Sequence, residues 1–350
     1  GRLRAVGLPA PDEWDWPLIG SAAALALIGL VAVYSASVAY AGARLGRPSF
    51  FLEHQALYLV LGAGAGYLVS QARLDSWQRL APAALVVSVA LLVVVLIPGL
   101  GREVNGAQRC IGLPGFALQP SEFAKLALAM FVAARMAAAH GAPRYRLRAV
   151  VEVLVATVLM AVLLLLEPDF GSAVVMMAVV ALMLFMAGLR LLPFVALGLL
   201  AGGALAMLAI TSPYRMQRLT AFLNPWADPF GSGFQLSQAL IAFGNGGWFG
   251  AGLGNSVQKL FYLPEAHTDF VIAVLAEEQG LVAVLLVLAL YVQITWRALG
   301  SARKALAAGA TFAGLLGYGV GALFGLQAFL NLGVCMGVLP TKGLTLPLMS

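Results

Sequence analysis

Of the 350 residues in this chain, 61% are hydrophobic and only 10% are charged, and the mean hydropathy is +0.93. A soluble domain carries about 25% charged residues, so these figures exclude a water-soluble protein and indicate one that crosses a membrane repeatedly. The net charge of +6 does not indicate nucleic acid, because the basic residues are spread among short polar segments and build no basic face; topology signals and anionic lipid suit them better.

The apolar runs are roughly 18–25 residues long, which fits helices rather than the roughly ten-residue strands of a barrel. Spanning backbone must satisfy its own polar groups, so the predicted class is all-α, a polytopic transmembrane helical bundle. Nine spans are predicted in chain order, near 17–40, 53–70, 81–98, 119–138, 149–167, 171–189, 191–211, 269–293 and 306–330. A tenth is expected past Ser350, because Leu346-Pro347-Leu348-Met349 begins another apolar run. The chain starts at Gly1 rather than Met, so a natural N-terminal piece is expected to be missing. No cleavable signal peptide is visible. Cys110 and Cys335 lie in separate loops and make neither a disulfide framework nor a metal-type spacing. The whole of 1–350 reads as a single integral membrane domain.

Orientation follows from lysine and arginine in the short loops. With the N-terminus inside, the inner segments hold Arg2, Arg4, Arg73, Arg79, Arg135, Arg144, Arg146, Arg148, Arg190, Arg297, Arg303 and Lys304. The first outer segment holds only Arg44 and Arg47. Two further outer segments are charged: 99–118 with Arg102, Glu103 and Arg109, and the long 212–268 with Arg215, Arg218, Asp228, Lys259, Glu265 and His267. Loops of that length are uncommon unless functional, and its Gly, Pro and aromatic content predicts an ordered extracytoplasmic loop. Within it Leu236, Ala239, Leu240 and Phe243 have helical spacing, with Gln235 and Gln238 on another face.

The densest chemistry lies at 262–270, Tyr-Leu-Pro-Glu-Ala-His-Thr-Asp-Phe, where polar chain re-enters an apolar run. Thr268 or Asp269 can cap the following helix; alternatively Asp269, partly desolvated beside Glu265 and His267, can act as a general base. Glu277 and Glu278 lie about 12–14 Å deeper along a helix, where charge is costly and faces protein or a cavity; they read as structural or as cavity acids. Glu122 and Lys125 are i, i+3 and can pair, or Lys125 can hold a phosphate. Asp169 can cap the helix after the Glu167-Pro168 turn. Arg102, Arg109, Arg215, Arg218 and Lys259 form an outer basic set suited to a diphosphate. The sequence contains no Walker loop, dinucleotide fingerprint, serine elbow or His/Cys metal cluster.

These segments carry a resemblance. Gly101-Arg102-Glu103-Val104-Asn105-Gly106, Leu118-Gln119-Pro120-Ser121-Glu122-Phe123-Ala124-Lys125, Pro168-Asp169-Phe170-Gly171, Asn224-Pro225-Trp226-Ala227-Asp228-Pro229, Gly233-Phe234-Gln235-Leu236, the run 252–260 and the stretch 262–270 follow in order. Together they resemble the SEDS family of shape, elongation, division and sporulation proteins, typified by RodA and FtsW. Glu265-Ala266-His267-Thr268 and Gly254-Asn255-Ser256-Val257-Gln258-Lys259 look like its division branch. Against the family pattern, Asn245 stands where arginine is usual, Cys110 where tryptophan is, Gln108 where arginine is common, and Ile272 and Gln279 where phenylalanine and leucine are.

The resemblance implies a ten-span fold and a peptidoglycan glycosyltransferase that polymerises lipid II at the outer face of the bacterial inner membrane, at the division septum. It places the family's essential aspartate on Asp269 and cavity positions on Glu122, Lys125 and Asp169. Expected partners are a class B penicillin-binding transpeptidase of the FtsI type and regulators of the FtsQ, FtsL, FtsB and FtsN type. No organic cofactor is expected, and a divalent cation, magnesium or manganese, is left open. Competing readings are a lipid II flippase or transporter and a division-complex scaffold.

Overall fold

The computed structural model describes residues 14–97, 101–104, 107–113, 116–141, 143–189, 198, 203, 220–340 and 345–350. The span expected near 191–211, together with Arg215 and Arg218, lies outside them. Among the described residues the helices are α1 (Trp16–Leu45), α2 (Phe50–Gln71), α3 (Leu74–Leu96), α4 (Pro120–Ala138), α5 (Pro143–Leu166), α6 (Phe170–Met186), α7 (Phe234–Gly246), α8 (Val271–Ala307) and α9 (Thr311–Cys335). Five of them, α1, α3, α5 from Arg146, α8 and α9, are long and apolar enough to cross a membrane. The chain is therefore a multi-pass helical membrane protein.

Local chemistry sets the helix ends. Asp15 accepts a hydrogen bond from the Leu18 amide at 3.1 Å and Pro17 stands in the first turn of α1, so both supply N-terminal signals. At the far end Gly46 takes φ 66°, the left-handed stop that glycine adopts without strain.

One element departs from the all-helical expectation. The segment predicted as an outer loop folds into a small antiparallel meander of β1 (Gly101–Val104), β2 (Ala107–Leu113) and β3 (Phe116–Leu118). Arg102 pairs with Cys110 and Ile111 with Leu118. A short sheet lets a polar segment satisfy its own backbone between two spans.

The residues form two compact units. The first comprises the described residues among 71–189 and 295–324. Its centre is α4, packed by α3, α5 and α6, and Leu92, Leu128, Met160, Leu164, Met176, Met183 and Leu184 are fully buried there. The second comprises the described residues among 14–70, 198–294 and 325–350. It buries Leu25, Leu236, Ile272, Leu275 and Leu346.

Within the second unit α8 is broken. Gly280 adopts φ 75° and ψ −175°, which leaves helical carbonyls and amides unpaired on either side. The loop after α7 supplies the partners: the amides of Ala251 and Gly252 donate to the Glu277 and Glu278 carbonyls at 2.9 Å, and those of Leu281 and Val282 donate to Gly247 and Trp248 carbonyls. Apolar surroundings require that replacement, because an unsatisfied backbone group in lipid costs several kcal/mol. Any Cβ on Gly280 would collide with the Trp248 carbonyl and the Phe249 and Gly250 amides.

Candidate active site

Asp269 is half-buried, two residues before α8, in the second unit. Its backbone carbonyl accepts hydrogen bonds from Asn331 Nδ2 at 3.0 Å and from the Cys335 thiol at 3.3 Å, both on α9. The preceding turn is tight: Glu265 takes φ 54°, and its carbonyl accepts the Thr268 and Phe270 amides. The Thr268 hydroxyl donates to Glu265 Oε2 at 2.7 Å, so it braces the turn. His267 lies between two rings, 5.7 Å from Tyr40 of α1 and 4.3 Å from Phe51 of α2, centroid to centroid. Burial there pushes the imidazole below its usual value, while Glu265 pulls it partly back.

The two intramembrane acids are buried and fully engaged. Glu277 accepts from the Ser256 hydroxyl at 2.5 Å, the Gln258 amide at 3.2 Å and Asn245 Nδ2 at 3.2 Å. Glu278 pairs with Lys259 Nζ at 2.7 Å and accepts the Ser35 hydroxyl of α1. These bonds tie the loop, the end of α7 and α1 to the broken helix. Lys259, expected in the outer basic set, has a side chain only 4% exposed. Its charge is neutralised by Glu278, so it acts as an anchor of the loop and does not face a diphosphate. Asn245, where the family commonly has arginine, is one of the ligands of Glu277.

In the first unit, Lys125 Nζ bonds Glu122 Oε1 at 2.8 Å, with the lysine buried and the glutamate exposed. Asp169 caps α6, accepting the Ser172 amide at 3.2 Å. Its other oxygen, Oδ2, is buried without a partner among the described residues, as are both carboxylate oxygens of Glu167. Glu167, one residue past α5, was not singled out from sequence. Burial, reinforced by Asp169 and opposed by the Arg109 guanidinium, raises its pKa to about 8. Arg109, on β2, donates from Nη2 to the Pro168 carbonyl at 2.7 Å and from Nε to the Glu167 carbonyl at 3.4 Å. It thus straps the α5–α6 turn. The only sequence cue to Glu167 was an acid next to a proline turn.

On α7, Leu236, Ala239 and Ala242 form the buried stripe and Gln235 and Gln238 are half-buried. Asp269, Glu265, His267, Thr268, Gln235, Gln238, Lys259, Glu277 and Glu278 belong to the second unit, and Arg102, Arg109, Glu122, Lys125 and Asp169 to the first.

Residues 16–350 match the FtsW/RodA/SpoVE cell cycle protein model. The chain belongs to that family. A probable peptidoglycan glycosyltransferase FtsW of Nitrosococcus halophilus is 52% identical over 347 residues, 99% of this chain and 89% of that protein. The counterpart in Thioalkalivibrio sulfidiphilus is 52% identical over 336 residues, covering 96% and 84%. Among solved structures, one chain of a peptidoglycan synthase complex that coordinates polymerization and crosslinking matches with TM-score 0.75 and 33% identity, over 97% of this chain and 92% of that one. The rod shape determining protein RodA of Thermus thermophilus matches with TM-score 0.66 and 28% identity, over 97% and 91%. The fold of this FtsW/RodA/SpoVE family member is therefore shared along nearly its whole length.

Proposed function

We propose that this family member is a peptidoglycan glycosyltransferase that polymerises lipid II into glycan strands, with Asp269 as the general base. Family membership and the names of the relatives support the reaction class. The observation that carries the residue assignment is the fixing of the Asp269 backbone by Asn331 and Cys335 at the start of α8, two residues after the ring-flanked His267. Asp269 takes the proton from the acceptor sugar 4-hydroxyl as that oxygen attacks the anomeric carbon of the second substrate. The bond to the diphosphate breaks, the lipid diphosphate leaves, and the anomeric centre inverts in one displacement, which needs one base and no carboxylate nucleophile.

Diphosphate is a good leaving group, so positive charge matters more than a general acid. Lys125 and Arg109 are candidates for that charge, with Arg102, Arg215 and Arg218. The described residues contain no group of three or more His, Cys, Asp or Glu side chains arranged for a metal.

The same reading places the N-terminus in the cytoplasm, the reaction at the outer face of the inner membrane and the protein at the septum. A class B penicillin-binding transpeptidase of the FtsI type would crosslink the strands, and regulators of the FtsQ, FtsL, FtsB and FtsN type would control it. A lipid II transporter is disfavoured because Glu277 and Glu278, the acids that would serve it, are both committed to structural bonds. The test is strand synthesis from purified lipid II in detergent, where no membrane needs crossing. Wild-type protein should make polymer and a folded Asp269→Asn variant should not; polymer from that variant removes Asp269 from the mechanism. A scaffold role alone predicts that the variant still supports division.

A further inference from the structure

The first unit contains a cavity of about 370 Å³ that none of the chemistry above uses. It lies where α4, α6 and α8 end and where α5 and α9 begin. Its lining includes the polar Arg146, His140 and Thr311 and the apolar Met136, Leu306 and Leu315. Among the described residues no acidic side chain lines it, and neither α5 nor α9 carries an acid in its first turn. The N-termini of α5 and α9 and the C-termini of α4, α6 and α8 offset one another there, so the positive charge of the cavity is that of the Arg146 guanidinium.

Arg146 is held in place rather than waving in solvent. Its Nη2 donates to the Ala187 carbonyl at 2.8 Å and to the Gly188 carbonyl at 2.7 Å, closing the end of α6. The N–H groups on Nε and Nη1 are not used in those bonds. Gly188 takes φ 83°, and a Cβ there would stand 3.2 Å from Nη2, so the close approach depends on glycine. Exposed Arg303 and Lys304 follow on the last turns of α8.

From this arrangement we infer that the cavity binds the phosphate of an anionic phospholipid, with the glycerol and first acyl carbons against the methionine and leucine side chains. A basic pocket between membrane helices is suited to such headgroups, and its size is that of a small-molecule site. The half-apolar lining selects a lipid over free phosphate. Its assignment to the inner leaflet rests on the orientation proposed above; the binding chemistry does not.

The experiment is native mass spectrometry and thermal melting of the delipidated full chain. It is offered phosphatidylglycerol, cardiolipin, phosphatidylcholine or inorganic phosphate in separate arms. Anionic lipids should be retained and should raise the melting temperature, while phosphatidylcholine and phosphate should not. Arg146→Gln should weaken retention about tenfold or more, equivalent to about 1.4 kcal/mol. Because that change also uncaps α6, His140→Ala with Thr311→Val provides a second variant that leaves the Arg146 bonds intact. Arg47→Gln, on an exposed pair elsewhere, serves as control. Equal retention of phosphatidylcholine, a full effect from phosphate alone, or unchanged adducts in the double variant would each overturn the inference. Repeating the binding in the Asp269→Asn background separates it from the polymerase reading.

Discussion

Replacing Lys259 by Met removes the partner of Glu278, which is 2% exposed. At 2.7 Å and an effective dielectric of about 20, the direct attraction is about 6 kcal/mol before desolvation is counted. Removing one member of a buried pair therefore costs about 3–5 kcal/mol, because the other is left uncompensated, whereas replacing both by apolar side chains of similar volume is neutral or stabilising. Lys259→Met and Glu278→Leu should each destabilise by that amount, and the double variant should return close to wild type. Among the described residues the stranded carboxylate retains the Ser35 hydroxyl alone, and the stranded ammonium retains the same oxygen. The assay is thermal unfolding in detergent, read alongside protease cleavage within 246–263. Additive losses in the double variant, with a coupling energy below about 0.5 kcal/mol, would refute the view that this pair anchors the loop.

The remaining expectations concern other parts of the two units. Glu167 has a folded pKa near 8, above its ordinary 4.5, so the folded state holds its proton more tightly. Its stabilisation is complete below pH 4.5 and is lost as pH rises through 8; Glu167→Gln should flatten the melting temperature across that window, and an unchanged slope counts against the assignment. Gly280→Ala adds a Cβ at a left-handed position facing backbone, so it should cost about 1–3 kcal/mol in strain alone and accelerate hydrogen exchange at Ala251, Gly252, Leu281 and Val282. Tyr40→Ala or Phe51→Ala hydrates His267 and should lift its pKa, measurable by NMR titration of the imidazole; no movement would mean that the rings do not set it. Arg109→Ala deprives the Glu167 and Pro168 carbonyls of their donor and should cost about 1–3 kcal/mol, visible as a lower melting temperature.

The sequence was most informative where local rules decide. Among the described residues the apolar runs longer than 17 residues are helices, the i, i+3 spacing of Glu122 and Lys125 is a bond, and the acid after Pro168 is a cap. Boundaries moved where charge was read as loop. Arg146 and Arg148 lie on α5, and Arg297, Arg303 and Lys304 on α8, because long basic side chains extend to the surface from a continuing helix. The meander at 101–118 was missed because strands of three to seven residues leave no periodic signal among glycines. Most hidden were the partners of Glu277 and Glu278. Spacing along a helix says which way an acid points, but not that a lysine 19 residues away, across a loop and the first turns of α8, will meet it.

That interlocking has a practical side for anyone handling the protein. Residues 247–252 act as part of a membrane helix although they lie outside it in the chain, since their amides and carbonyls complete the hydrogen bonds of α8. A tag, fluorophore or protease site inserted there would open the helix within the bilayer. The exposed turn at 228–232, where Ser232 donates to the Asp228 carboxylate and the Asp228 carbonyl accepts the Gly233 amide, supplies no hydrogen bond to α8 among the described residues and is the place to put one.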